Sequence, residues 1–236
     1  MKSQHPAGPN SGGTRIVLPE VNLDASLAKL GAKDRQTFDR QVAAREARSP
    51  GDARLADRWR RLAGLLMTLA SAPPKLAGSD AMQFYIPDGK YRKQVFAIHA
   101  TNDGSIVVFL PEIIDLASKS RLLSGVKGTG DDDNDRVRLF RIVDSNESLR
   151  IELLDGSTAN PSPFYKDMTG WNRRAISVQV PPSATDEQVQ AVERLCALAA
   201  TTWPVASAAP VNPAAGADKP AATTATAAPA KAKRGS

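Results

Sequence analysis

Lys93-Gln-Val-Phe-Ala-Ile-His-Ala-Thr-Asn-Asp-Gly-Ser-Ile-Val-Val-Phe-Leu110 is the stretch on which the reading of the fold turns. Asn102-Asp103-Gly104 stands between two β-branched and aromatic runs, which is a hairpin signal. Gly104 can take a positive φ without a Cβ clash, as the last residue of a type I turn with a bulge requires. That register sets Ala100 opposite Ile106, Ile98 opposite Val108 and Phe96 opposite Leu110. The other face carries Val95, Ala97, His99, Val107 and Phe109. Both faces are apolar, so these are central strands covered on both sides. His99 alone interrupts the pattern.

Outward from this hairpin the chain punctuates itself. Upstream, Asp24 is placed to cap a short helix with Leu27 and Leu30 inward. Lys33 to Arg48 has helical composition and little apolar content beyond Phe38 and Val42. Asp52 to Ser71 carries Leu55, Trp59, Leu62, Leu66 and Leu69 at spacings of four and three, an amphipathic helix, and Pro73-Pro74 ends the helical region. Met82 to Ile86 reads as a first strand. Downstream, Glu112 to Leu123 reads as a helix and Gly125 to Asp135 as a flexible acidic loop. Arg136 to Val143 and Ser148 to Leu154 form a second hairpin across Asp144-Ser145-Asn146. Arg174 to Val180 is a last strand. A final helix runs from Asp186 to Thr202, capped by Thr185 or Ser183, with Val189, Val192, Leu195, Cys196 and Ala199 inward. Paired antiparallel strands with helices before, between and after define an α+β fold, with a sheet of five to six strands and flanking helices.

Residues 1–20 and 205–236 lack the apolar content to offset the entropy of ordering, so disordered N- and C-terminal tails are expected. Between them, residues 21–75 form a helical segment packed on an α+β domain of residues 76–204. Of the chain's net charge of +6, the excess lies in residues 32–75 and in the tail with Lys219, Lys231, Lys233 and Arg234. The β-rich body is mildly acidic. A single cysteine excludes an internal disulfide and suits a reducing compartment. Met1-Lys2 leads into polar, Pro/Gly-rich sequence, not an apolar leader. The apolar stretch Leu65 to Ala72 is far short of the roughly 20 residues of a membrane span. A cytoplasmic protein with no membrane role is expected, and nothing in the sequence sets its oligomeric state.

Several tempting sites reduce to ordinary structure. Asp131-Asp132-Asp133-Asn134-Asp135 would need Gly and Glu where Arg136 and Ile142 stand to form a calcium loop. Gly125 to Gly130 lacks phosphate-loop spacing and runs into aspartates. Cys196 sits on an apolar helical face and reads as a structural thiol. No metal-ligand spacing, cofactor motif or catalytic set is present. His99 has no Ser, Cys or acid at motif spacing. It reads first as a buried histidine held by backbone or a carboxylate, and alternatively as part of a pocket with Tyr85 and Trp171.

Arg54, Arg58 and Arg61 share one face of the Trp59 helix, with Arg60 beside them. They are either a solvated face or phosphate contacts. Trp171-Asn172-Arg173-Arg174 gathers aromatic and basic residues before the last strand. The expected function is a non-enzymatic binding module for nucleic acid or an acidic protein, through Arg54, Arg58, Arg60, Arg61, Arg173 and Arg174. The alternatives are a small-molecule site or enzyme near His99, and a protein-interaction domain.

The strand Lys93-Gln94-Val95-Phe96-Ala97, its hairpin, and Trp171-Asn172-Arg173-Arg174-Ala175 leading into Val178-Gln179-Val180 and an acidic-capped helix resemble the MmcQ/YjbR-like domains. They also resemble the YdhG-like domains. The likeness covers roughly residues 80 to 204. It implies a compact α+β fold of antiparallel strands with flanking helices and a DNA-binding role, with no catalytic residues to carry over. The chain departs from that pattern in its added N-terminal helices, its acidic loop and its long tail.

Overall fold

The computed structural model describes residues 16–49, 53–70, 73–88, 91–128, 137–154 and 175–202. Within them lie five helices: α1 (Leu23–Leu27), α2 (Ala32–Arg48), α3 (Arg54–Leu69), α4 (Ile114–Lys119) and α5 (Asp186–Thr202). The strands are β1 (Lys75–Ala77), β2 (Ala81–Asp88), β3 (Tyr91–Ala100), β4 (Ile106–Pro111), β5 (Leu123–Gly128), β6 (Val137–Ile142), β7 (Ser148–Leu154) and β8 (Ala175–Val180). All eight form one sheet in the order β1-β2-β3-β4-β8-β7-β6-β5, every neighbouring pair antiparallel.

The fold is therefore α+β with an antiparallel sheet, as expected, but the sheet has eight strands and not five to six. The additional two are the edges. β1 is only three residues long. β5 takes the end of what reads as one long helix and the start of what reads as a loop. α4 stops at Lys119, and Arg121 turns the chain with a φ of 54°. Two glycines in six residues hide β5 from a propensity argument, because Gly is depleted in strands. The pairing with β6 supplies what local propensity does not.

The β3–β4 hairpin forms in the expected register, with Ile98 opposite Val108 and Ala100 opposite Ile106. Gly104 has φ 84°, and its N–H donates to Thr101 O at 3.1 Å. Asp103 ties the turn. Its carboxylate accepts from Thr101 Oγ1, from Ser105 N at 3.1 Å and from Ser105 Oγ at 3.0 Å. These donors, Thr101 first, hold the Asp103 carboxyl below its usual range. The folded chain thus binds this proton less readily than the unfolded chain. The resulting stabilisation is present above about pH 4 and is lost as pH falls through the lower folded value. Asp103→Asn is expected to flatten the acid limb of the stability curve. An unchanged slope between about pH 4 and pH 2 in urea titrations would show that the turn gains nothing from the charge.

Alternation along the strands divides the sheet into two faces. One face carries Met82, Phe84, Phe96, Ile98, Ile106, Val108, Leu110, Ile151, Ile176 and Val178. It shares a single buried core with α1, α2, α3 and α5. The expected inward residues of α5, from Val189 to Ala199, are all fully buried there. So the helices of residues 21–75 and the sheet are joined by one core. The other face has a smaller cluster built from strand residues alone, Ala97, Phe109, Leu154 and Ala175, with Val107 beside it. α1 is capped by Asn22 and not by Asp24: Asn22 Oδ1 accepts from Ala25 N at 2.9 Å. The segment before α1 lies so close to α3 that a Cβ on Gly64 would meet Val21 at 3.0 Å.

Candidate functional site

The arginines of α3 share a helix without sharing a free surface. Arg58 is buried, and its guanidinium donates to Pro182 O at 2.6 Å, to Pro181 O at 3.3 Å and to Ala184 O. It holds the β8–α5 connection onto α3. Arg60 spans Asp57 at 2.9 Å and Glu46 at 2.6 Å, tying α3 to α2. Arg61 forks onto both carboxylate oxygens of buried Glu193, one at 2.7 Å. That hydrogen-bonded contact raises the Arg61 guanidinium above its ordinary value. Arg54 is exposed at the first turn of α3 and makes contacts of its own. The sequence pattern that predicts a phosphate-binding face is in three of four cases the set of fasteners between α3 and its neighbours.

A fifth arginine has no signal in the periodicity. Arg45 of α2 is 1% exposed and stacks on Trp59, its guanidinium carbon 4.0 Å from the ring centroid. It donates to Gln41 O and Ser79 O. Gln41, also buried, donates to Ala81 O at 2.9 Å and Gly78 O at 3.2 Å. Together the two side chains fix α2 against the β1–β2 turn. The fit is incomplete: Arg45 Nε and Nη2, Gln41 Oε1 and Trp59 Nε1 find no hydrogen-bond partner. Burial, followed by repulsion from Arg48, pushes the Arg45 guanidinium down to about 10, with Asp80 opposing the shift.

His99 and Tyr85 lie on the sheet face that carries Ala97, at separate places on the β2–β3 ladder. His99 is paired with Ala81, and its Nε2 lies 3.6 Å from Asp80 Oδ2. Tyr85 is four residues further along β2, about 13 Å at the rise of a strand, and its hydroxyl donates to Gln83 Oε1 at 2.6 Å. The two therefore do not converge on one reactive centre. Trp171, Arg173 and Arg174 lie outside the described residues, as do Asp131 to Asp135. Cys196 is fully buried, and burial pushes its thiol up, with Glu193 adding to the shift. It is inert as a nucleophile while the chain is folded.

The concavity with the most distinct chemistry was not singled out by the sequence. A groove of about 790 Å³ opens where Ser124 of β5, the end of β6 and the β6–β7 turn meet the first turn of α5. Asp144, Glu147, Asp186 and Glu187 line it, against a single guanidinium from Arg141. Its walls are stitched together. Ser145 Oγ donates to Glu187 Oε2 at 2.5 Å and accepts from Glu147 N at 3.0 Å. Gln188 Nε2 reaches Ser148 O at 2.8 Å. Thr185 and Gln188 exchange side-chain-to-backbone bonds at 2.9 and 3.2 Å, a capping box that fixes the start of α5. Asp144 holds a left-handed φ of 59°, so the turn is set by a non-glycine residue. Asp186 and Glu187 also answer the positive end of the helix dipole, which suffices to keep them there. What the dipole does not explain is Asp144 and Glu147 facing them from the turn. In sequence these acids are two ordinary surface pairs, 40 residues apart, and only the β6–β7 register brings them together.

Among the described residues no group of three or more His, Cys, Asp or Glu is arranged to hold a metal ion, and no helix is long and apolar enough to cross a membrane. No protein-family model matches the chain, and neither the curated proteins nor the solved structures contain a match. Fold and site together define an α+β domain with an eight-stranded antiparallel sheet and an acid-lined groove at one end of it.

Proposed function

We propose that this protein is a non-enzymatic binding module whose partner carries positive charge and is received at the groove between the β6–β7 turn and α5. The observation that carries this reading is the lining itself, four carboxylates and one guanidinium on walls locked by side-chain hydrogen bonds. Preorganised walls lose little entropy on binding, and like-signed charges on them favour a complementary partner and repel an anionic one. A nucleic-acid role through α3 draws less support. Arg58, Arg60 and Arg61 are each committed to a carbonyl or carboxylate of the chain, and a phosphate would have to displace those partners.

Titrating the isotope-labelled full chain with a labelled Lys/Arg-rich octapeptide should move the backbone amide signals of 144–147 and 186–187. Glu147→Gln with Asp186→Asn should weaken that binding by about fivefold, in the range of exposed ion pairs, and added salt should weaken it further. If a 20-base-pair duplex binds with shifts on α3 and the peptide moves nothing in the groove, the reading is overturned.

A further inference from the structure

The groove opens beside a strand edge. β5 is the last strand of the sheet and pairs only with β6, so along its outer side no strand of the described residues meets its backbone N–H and C=O groups. Such an edge is a template for another strand. The two edges of this sheet differ. β1 is cut to three residues, follows Pro73-Pro74 and exposes Lys75, three devices that discourage pairing. β5 runs for six residues, about 20 Å at the rise of a strand. It carries one device of its own, a bulge at Gly125 (φ 61°), and the space there is open, since a Cβ would meet nothing within 4 Å.

Resting on the binding role proposed above, we infer that β5 takes up an extended basic peptide as a ninth strand, with its cationic end in the acid-lined groove. The direction follows from the sheet. Every pair in it is antiparallel, and an added antiparallel strand ends opposite the start of β5. Leu123 and Ser124 are that start, and Ser124 lines the groove. The partner's C-terminal residues therefore reach Asp144, Glu147, Asp186 and Glu187. The motif is four or five residues of strand-forming sequence followed by two of Lys or Arg. Main-chain hydrogen bonds supply affinity and the groove selects charge at one end, the division of labour of strand addition. A compact polyamine has the charge without the backbone, and a helix has the backbone already satisfied, so neither meets both halves of the surface.

Two blocked hexapeptides test this on the full chain: Val-Thr-Val-Thr-Lys-Arg, and the same peptide N-methylated at both threonines. The unmodified peptide should bind, slow hydrogen exchange at the amides of 124–128 and shift those of 144–147. N-methylation removes two donors and should weaken binding by about tenfold or more. Moving Lys-Arg to the N-terminus should lose the shifts at 144–147. Equal affinity of the methylated and unmodified peptides, with shifts at the groove, would overturn strand addition and leave a cation-binding groove. No binding by either hexapeptide or by the octapeptide would overturn both.

Discussion

Trp59→Ala is expected to cost about 4 kcal/mol of folding stability, the range for emptying a fully buried aromatic site. Trp59 is 0% exposed and sits where α3 meets α2, with the Arg45 guanidinium on its ring. Removing the indole opens a cavity between the helices and leaves the guanidinium, already short of partners at Nε and Nη2, without its aromatic face. In a domain of this size that loss lowers the melting temperature by roughly 10 °C. Trp59→Phe separates the causes. It keeps a ring under Arg45, and it sacrifices no hydrogen bond, because Trp59 Nε1 makes none. Its cost should be about 1–2 kcal/mol. If calorimetry gives the two variants equal losses, the indole's shape and not the cation–ring contact holds α2 in place.

Arg58→Ala should be nearly as damaging, at about 3 kcal/mol. Hydrogen bonds from a charged donor are worth roughly 1.5–3 kcal/mol each, and those made by one guanidinium do not add fully. The carbonyls of Pro182 and Ala184 lose their donor together, and Pro181 O keeps only the Ala184 N–H at 2.9 Å. Pro181 and Pro182 lack an N–H of their own, so beyond the one backbone bond from Ala184 N to Pro181 O this connection takes its order from a side chain. Arg58→Lys should recover less than half, because an ammonium on a flexible stem cannot reproduce a planar fork across three acceptors. Urea denaturation at constant m value measures both. A loss below about 0.5 kcal/mol for Arg58→Ala would place Arg58 with ordinary surface arginines.

The same residue shows what could be read in advance and what could not. A 3.6-residue period identifies α3 and its buried stripe, and Leu55, Trp59, Leu62 and Leu66 lie where that period puts them. The β3–β4 register, the β6–β7 hairpin and the bounds of α5 follow from equally local signals. Periodicity reports which way a side chain points and says nothing of what waits there. Arg58 stands among cations on its own helix, and its partners are carbonyls more than 120 residues later. Gln41 and Arg45 look like surface residues of a polar helix, and both are buried because the β1–β2 turn presents backbone oxygens to them. The groove was illegible for the same reason. Its acids come from a turn and from a helix start that have no sequence relation until the sheet is assembled.

β8 lies at the centre of the sheet although it is the last strand to be made, with β4 on one side and β7 on the other. A ribosome extruding this chain therefore delivers two separate meanders, β1–β4 and β5–β7, each ending in a long strand with a bare flank. Among the described residues, no strand before Ala175 pairs with both. The keystone arrives with Ala175–Val180, and α5, which closes over the same core, follows within six residues. Sheet closure is in this sense a late and single event of synthesis. Until it happens, Val107 to Phe109 on one meander and Ile151 to Leu153 on the other, the second interrupted by Glu152, are edges open to any passing strand.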